Sequence, residues 1–537
     1  MSPSDEDAGI PDASLRDDKQ PTENGTADEK HHPKEQEDEE ESRDNGALDK
    51  DVEKQAEPQE TALDGTKSHE RDENIVDWDG DDDPHNPYNW SKGKKWTNGG
   101  LLSAMTLVTP LASSMFAPGV PDVMREFQST STILASLVVS VYILGYAFGP
   151  LIIAPMSELY GRTIVYHVSN VLFVVFSIAC AVSSNLGMLI GFRFLAGSMG
   201  STPLTIGGGT NADMFRTEER GAAMAIWSIG PLLGPVIGPV AGSYLSQAKG
   251  WHWDFWLITI LGGTITIFMM IFLRETYAPR ILELKARRLR KETGNPNLRS
   301  KLDTGLSPRE LFIRSIVRPT KMLLFSPIVF LLSFYMAVVY GYLYLLFTTM
   351  TLVFENTYHF SQGSVGLSYL GIGVGMFGGL FLTGATSDWG VKYLSRKNGG
   401  VTKPEFRLPP MIPAALLIPI GLFIYGWTAQ FGVHWIVPII GTSFVGLGLI
   451  TTFMPIMTYL IDAYTIYSAS CIAANTVLRS LLGALLPLAG PSMYSALGLG
   501  WGNSLLGFVA LAMAPLPIIF WRYGERIRTS RRFTVNF

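Results

Sequence analysis

The chain has 537 residues, 47% of them hydrophobic and only 17% charged, against the ~25% charged typical of soluble domains. Its net charge of -5 hides a split: residues 1–83 carry 30 acids and 9 bases, the remainder 17 acids and 33 bases. These values exclude an ordinary soluble domain. The two cysteines, Cys180 and Cys471, fall in apolar runs and read as packing residues rather than a disulfide, which leaves the redox compartment open.

No charged-then-apolar leader opens the chain, so insertion is expected to use the first true span. Residues 1–75 are acidic, rich in Ser and Gly and nearly free of aromatics. Such a stretch cannot bury enough apolar surface to offset chain entropy, and a disordered tail is expected. Trp78, Tyr88, Trp90 and Trp96, with Lys92, Lys94 and Lys95, suit an anchor at a membrane surface. Apolar runs near the ~20-residue spanning length follow. They are placed at 96–117, 132–154, 163–183, 186–208, 220–244, 254–273, 325–348, 363–385, 409–428, 433–455, 468–491 and 499–521. The chain therefore divides into a tail (1–75), a six-helix bundle (76–273), a central loop (274–324), a second six-helix bundle (325–521) and a basic tail (522–537). With both ends inside, nearly all Lys and Arg after residue 83 fall in inside loops, which fixes both termini as cytoplasmic. In the central loop, Lys285, Arg287, Arg288, Arg290 and Lys291 interleave with Leu282, Leu284 and Leu289. That pattern reads as an amphipathic helix on anionic lipid, not as a nucleic-acid surface.

The loop after span 2 holds Ser157, Glu158, Gly161 and Arg162, and the loop after span 8 holds Ser387 and Asp388 with Lys392. This small-x-x-Ser-acid spacing in matching places indicates an internal repeat, as transporters show. Glu158 and Arg162 lie where they can latch neighbouring helix ends, with Asp213 on the same side as a candidate partner. Arg193 lies within span 4; a charge there is costly and faces a partner or a wet cavity. In span 5, Gly230, Gly234, Gly238 and Gly242 recur every four residues, with Pro231, Pro235 and Pro239 one step behind each of the first three. A glycine face of this period lets a second helix approach backbone to backbone, while the prolines should bend the helix. Tyr340, Tyr344 and Phe347 share one face of span 7 and can stack on an amphipathic substrate. Asn475 and Arg479 lie one turn apart near the middle of span 11. No Asp or Glu falls deep in a span: Glu158, Asp213, Asp254, Glu355, Asp388 and Asp462 all lie at ends or in loops.

The GP repeat resembles the antiporter signature of drug:proton antiporters of the major facilitator superfamily. Arg193 with Gly197 is similar to the family's RxxxG motif. Gly161 and Arg162 match its first motif, with Ala154, Glu158 and Leu159 as departures. Glu275-Thr276-Tyr277-Ala278-Pro279 and the aromatic leader are similar to fungal members. The resemblance, over about residues 76–527, implies an all-α membrane protein of twelve helices in two six-helix bundles. It implies a proton-coupled exporter of small organic molecules at the plasma membrane, with Arg193 linked to proton coupling. An uptake symporter or facilitator, including an organic-acid or polyamine transporter, stays open on the same fold. Scattered histidines and the lack of a P-loop argue against an enzyme or direct ATP use. No cofactor or metal is expected, and the expected partners are a small-molecule substrate, protons and lipid around a monomer.

Overall fold

A computed structural model describes residues 74–530, apart from 304 and 306. Most of the expected disordered tail and residues 531–537 of the basic tail lie outside the described residues. Helices dominate because apolar runs in hydrocarbon must satisfy every backbone polar group internally. The first half contains α1 (Lys92–Ser114), α2 (Val120–Glu126), α3 (Thr132–Tyr160), α4 (Arg162–Ala181), α5 (Leu186–Gly200), α6 (Thr202–Met214), α7 (Thr217–Lys249) and α8 (His252–Phe272). The connection carries α9 (Ala278–Thr293) and α10 (Pro308–Phe325). The second half contains α11 (Pro327–Tyr358), α12 (Gln362–Ser368), α13 (Leu370–Lys397), α14 (Met411–Gln430), α15 (Ile436–Ala463) and α16 (Ser468–Met513), followed by α17 (Pro515–Thr529).

Among the described residues, ten helical stretches are long and apolar enough to cross a membrane. Two details bring the crossings to the expected twelve. Span 4 is broken at Ser201 into α5 and α6, each too short alone. Spans 11 and 12 run together in α16, which turns at Gly498, where φ is 73°. Side-chain caps set several helix starts: Ser131 accepts from the Leu134 amide, and Asn185 from the Met188 amide at 2.8 Å.

Two expectations about loops need correcting. The segment after span 2 is helical to Tyr160, and Gly161 alone, at φ 95°, joins α3 to α4. The segment after span 8 is also helical, to Lys397, so Ser387, Asp388 and Lys392 lie on α13. Hydropathy marks where the hydrocarbon ends, whereas the helix continues past it as long as polar residues satisfy their own backbone. The span-5 helix α7 is continuous through Pro231, Pro235 and Pro239.

The leader packs on protein. Strand β1 (Ile75–Val76) pairs in parallel with β2 (Arg299–Ser300) of the connection. Tyr88 Oη donates to the Ala212 carbonyl, and Trp90 clusters with Met214, Phe215 and Ala223. Helix α9 likewise turns Leu282 and Ala286 inward, where both are fully buried, while Lys285 Nζ reaches Asp79 at 2.6 Å and the Asp77 carbonyl at 2.8 Å.

Candidate functional site

The two halves repeat one ionic arrangement at the end that carries the termini. In the first, the Arg162 side chain at the start of α4 donates to Asp213 at 3.3 Å and to Ser157 Oγ at 2.7 Å. Glu275, just after α8, accepts from the Arg162 and Thr163 amides at 2.9 and 3.2 Å, so it caps the N-terminus of α4. Tyr277 lies under the Arg162 guanidinium at 4.6 Å, and burial pushes its phenol up, keeping it neutral there. In the second half, Arg407 stands just before α14 and donates to Asp388 and Asp462, each at 3.0 Å, and to Ser387 at 3.5 Å. In each half, then, an arginine before the third span ties the end of the second to the end of the fourth. Glu158 takes no part: its side chain is exposed, and it makes no ion pair among the described residues. Lys392 does not reach Asp388 either; the base is Arg407, at the place Arg162 occupies in its own half. Position relative to the third span is the signal that finds it.

The GP helix forms one side of the seam between halves. On one face its glycines meet α1. A Cβ on Gly230 would stand 2.8 Å from the Leu107 amide nitrogen, and one on Gly234 2.8 Å from that of Leu111. Gly238 and Gly242 meet the backbone of Leu111 and Met115 in the same way. Such approach leaves no room for any side chain. The opposite face carries Val236, Pro239 and Ser243 into glycines of the other half, Gly373 and Gly366. Ser243 Oγ donates to the Gly363 carbonyl at 3.2 Å. Nearby, Gln362 Nε2 donates to Asp122 Oδ2 at 2.6 Å. These contacts shut the seam at the end opposite the termini.

The two intramembrane arginines have different surroundings. Arg193 is 1% exposed. Its Nε donates to the Val138 carbonyl at 2.6 Å, and one terminal nitrogen to the carbonyls of Ser113 and Val139 at 3.3 and 3.4 Å. Phe116, Tyr142 and Phe255 rings surround the guanidinium at 4.9, 5.3 and 5.6 Å. It joins spans 1, 2 and 4 and is sealed by protein. Arg479 is only half-buried, lies over Tyr340 at 4.7 Å and Phe453 at 5.3 Å, and leaves its Nε without a hydrogen-bond partner. Asn475, one turn earlier, donates to Met457 Sδ at 3.1 Å and leaves its Oδ1 buried and unpartnered.

Aromatic contacts connect these arginines. Ser113, whose carbonyl receives Arg193, shares a 3.0 Å hydrogen bond with the Tyr344 hydroxyl across the seam. Tyr344 packs on Tyr340 with ring centroids 5.1 Å apart, and Tyr340 lies under Arg479. Phe347 is buried behind them against Tyr344 and Tyr369. Of the three span-7 aromatics, only Tyr340 keeps exposed surface.

Sequence reasoning left Asp254 among end-of-span acids. The carboxylate is 1% exposed where α7, α8 and the turn before α2 meet. Oδ2 accepts from Ser246 Oγ at 2.6 Å, and Oδ1 has no partner among the described residues. Its Trp-rich flank, Trp251-His252-Trp253-Asp254-Phe255-Trp256, was the signal: an acid amid aromatics at an interface is unusual enough to mark a buried carboxylate. Among the described residues, no group of acids, His and Cys is placed to hold a metal.

Comparison with known proteins agrees with this architecture. Residues 102–487 match the family model described as Major Facilitator Superfamily. The MFS-type transporter penM of Penicillium rubens is 63% identical over 473 residues, 88% of this chain and 93% of that one. The efflux pump radE of Floropilus chiversii is 53% identical over 477 residues, 89% of each. Among solved structures, the partially occluded inward-open xylose transporter XylE from E. coli superposes with a TM-score of 0.60 at 16% identity. That match covers 80% of this chain and 98% of the other, and at this identity it speaks to fold alone. With the family matched over most of its length and close relatives that are all transporters, the chain belongs to the Major Facilitator Superfamily and is a multi-pass membrane transporter, not an enzyme.

Proposed function

We propose that the protein is a proton-coupled exporter of small organic molecules that works by alternating access, with both termini in the cytoplasm of a fungal cell and its site at the plasma membrane. The observation that carries this reading is the seam helix α7. One face is fixed to its own half by glycines too close for any side chain, and the other meets the second half through small, separable contacts at Ser243, Pro239 and Val236. A helix built this way moves as one body with its half and parts from the other. The paired ionic ties at Arg162 and Arg407 give each half a rigid end about which to rock. An efflux pump among the relatives supports the outward direction, and buried Asp254 and half-buried Asp213 supply groups for proton coupling.

Purified full-length protein in proteoliposomes tests the reading. Across a panel of planar and amphipathic compounds, an imposed pH gradient should accelerate substrate movement against the proton flow, and an uncoupler should remove that acceleration. Movement in the same direction as protons would make the protein a symporter. Rates indifferent to the gradient would make it a facilitator.

A further inference from the structure

The contrast between the two intramembrane arginines carries more than a transport path. Arg193 has its needs met by three carbonyls and three aromatic rings of its own half. Arg479 has none of this. Among the described residues no carboxylate comes within ion-pair distance, no carbonyl accepts from it, and its Nε is buried without a partner. Only the faces of Tyr340 and Phe453 attend the cation. A guanidinium keeps its proton, and holding it at membrane depth without a counter-charge is costly unless it serves a ligand or a water-filled path.

The surroundings specify more than charge. Asn475 Oδ1 and Ser480 Oγ, on the same helix, are buried and unpartnered. Across the seam, Tyr146 Oη is also buried and unpartnered, while Ile143 of the same helix α3 faces Gly483, one turn beyond Arg479. Tyr340 packs against the place where a Cβ on Gly483 would stand, 2.9 Å away, so this glycine opens the space in which the ring sits. The seam thus offers a planar fork of donors, an aromatic face and further polar groups around it.

We infer that Arg479, with Tyr340 and Phe453, forms a binding site for the anionic group of a planar organic acid: a carboxylate, or an enolate or phenolate of comparable acidity. The acid oxygens meet the guanidinium fork while the ring stacks on Tyr340. This deepens the proposed function and rests on the seam as its transport path. A cationic drug is disfavoured, because it would bring like charge to an unpaired arginine.

The test is equilibrium binding, by titration calorimetry, to full-length protein in lipid nanodiscs with no gradient. The probes are 2-naphthoate and its uncharged partner 2-naphthamide, which share a ring system and differ in charge. Wild-type protein should bind the naphthoate at least about tenfold more tightly, as a charge-assisted, forked contact implies. Arg479→Gln should bring the two probes within about twofold while leaving naphthamide binding in place. Arg479→Lys, which keeps the charge and loses the fork, should retain a reduced preference, and it serves where the Gln variant does not fold. Absence of preference in the wild type, including binding of neither probe, overturns the inference, as does a tenfold preference surviving in Arg479→Gln. Because no flux is measured, loss of proton-driven transport with the preference intact counts against the proposed function alone.

Discussion

Arg193 and Arg479 look alike in sequence: one cation in each half, each within a span. Their surroundings assign them different work. Arg193 binds carbonyls of Val138, Val139 and Ser113, and a lysine has neither the reach nor the geometry to replace those contacts together. Each donor lost leaves a buried carbonyl short of a partner, at about 1–3 kcal/mol apiece. Arg193→Lys should therefore lower the thermal stability of the detergent-solubilised protein by several degrees, and Arg193→Ala by more. Folded Arg193→Lys should still bind substrate near wild-type affinity. Wild-type melting combined with lost binding in Arg193→Lys would put this residue in the ligand site instead. The sequence showed that both positions hold costly charges. Which of the two is satisfied depends on carbonyls of Ser113 and Val138, far away in the chain, and periodicity cannot report that.

At the level of elements, the glycine period of span 5 predicted a close helix contact, and the partner is α1. Gly230→Ala and Gly234→Ala should both impair folding and transport, since each added carbon would stand 2.8 Å from backbone or neighbouring atoms of α1. Gly221→Ala on the same helix has nothing within 4 Å and should be neutral or stabilising by up to about 1 kcal/mol. Equal effects at all three positions, read by flux and melting, would remove the contact from the account. The leader gives a pH prediction. Lys301 Nζ donates to Asp77 Oδ2 at 2.6 Å, and this hydrogen bond lowers the Asp77 carboxyl from its ordinary value. A lowered acid stabilises the folded form above the unfolded value of about 3.9, and that contribution fades as pH falls through the lower folded value. Amide-exchange protection of residues 75–76 and 299–300 should thus hold from pH 7 to 5 and fall only below about pH 4. Protection already lost at pH 6 would contradict this. The leader's aromatics were legible as an anchor, but their docking on Ala212, Met214 and Phe215 was not, because composition does not distinguish a lipid headgroup surface from a helix end.

For the whole molecule, the twelve crossings were legible because hydrocarbon thickness imposes a length on each apolar run. The internal repeat was legible from Ser157 and Ser387. Its second arginine was not, since the turn at 398–408 carries Arg407 out of register with Arg162 and only the fold returns it to the same place. The break at Ser201 and the turn at Gly498 were equally hidden, as neither interrupts the hydrophobic run. What the assembled structure adds is a seam that is closed at the end opposite the termini and that must part if the halves rock. Gln362 and Asp122 face each other there across a 2.6 Å hydrogen bond. The decisive measurement replaces both with cysteine, Gln362→Cys with Asp122→Cys, in a background where Cys180 and Cys471 are alanine, and joins them with a short, reducible thiol-specific linker. Substrate flux is then followed in proteoliposomes before linking, after linking and after reduction. The account predicts that linking abolishes flux, that substrate binding from the terminus-bearing side survives, and that reduction restores flux. Undiminished flux through the linked protein would contradict alternating access at this seam.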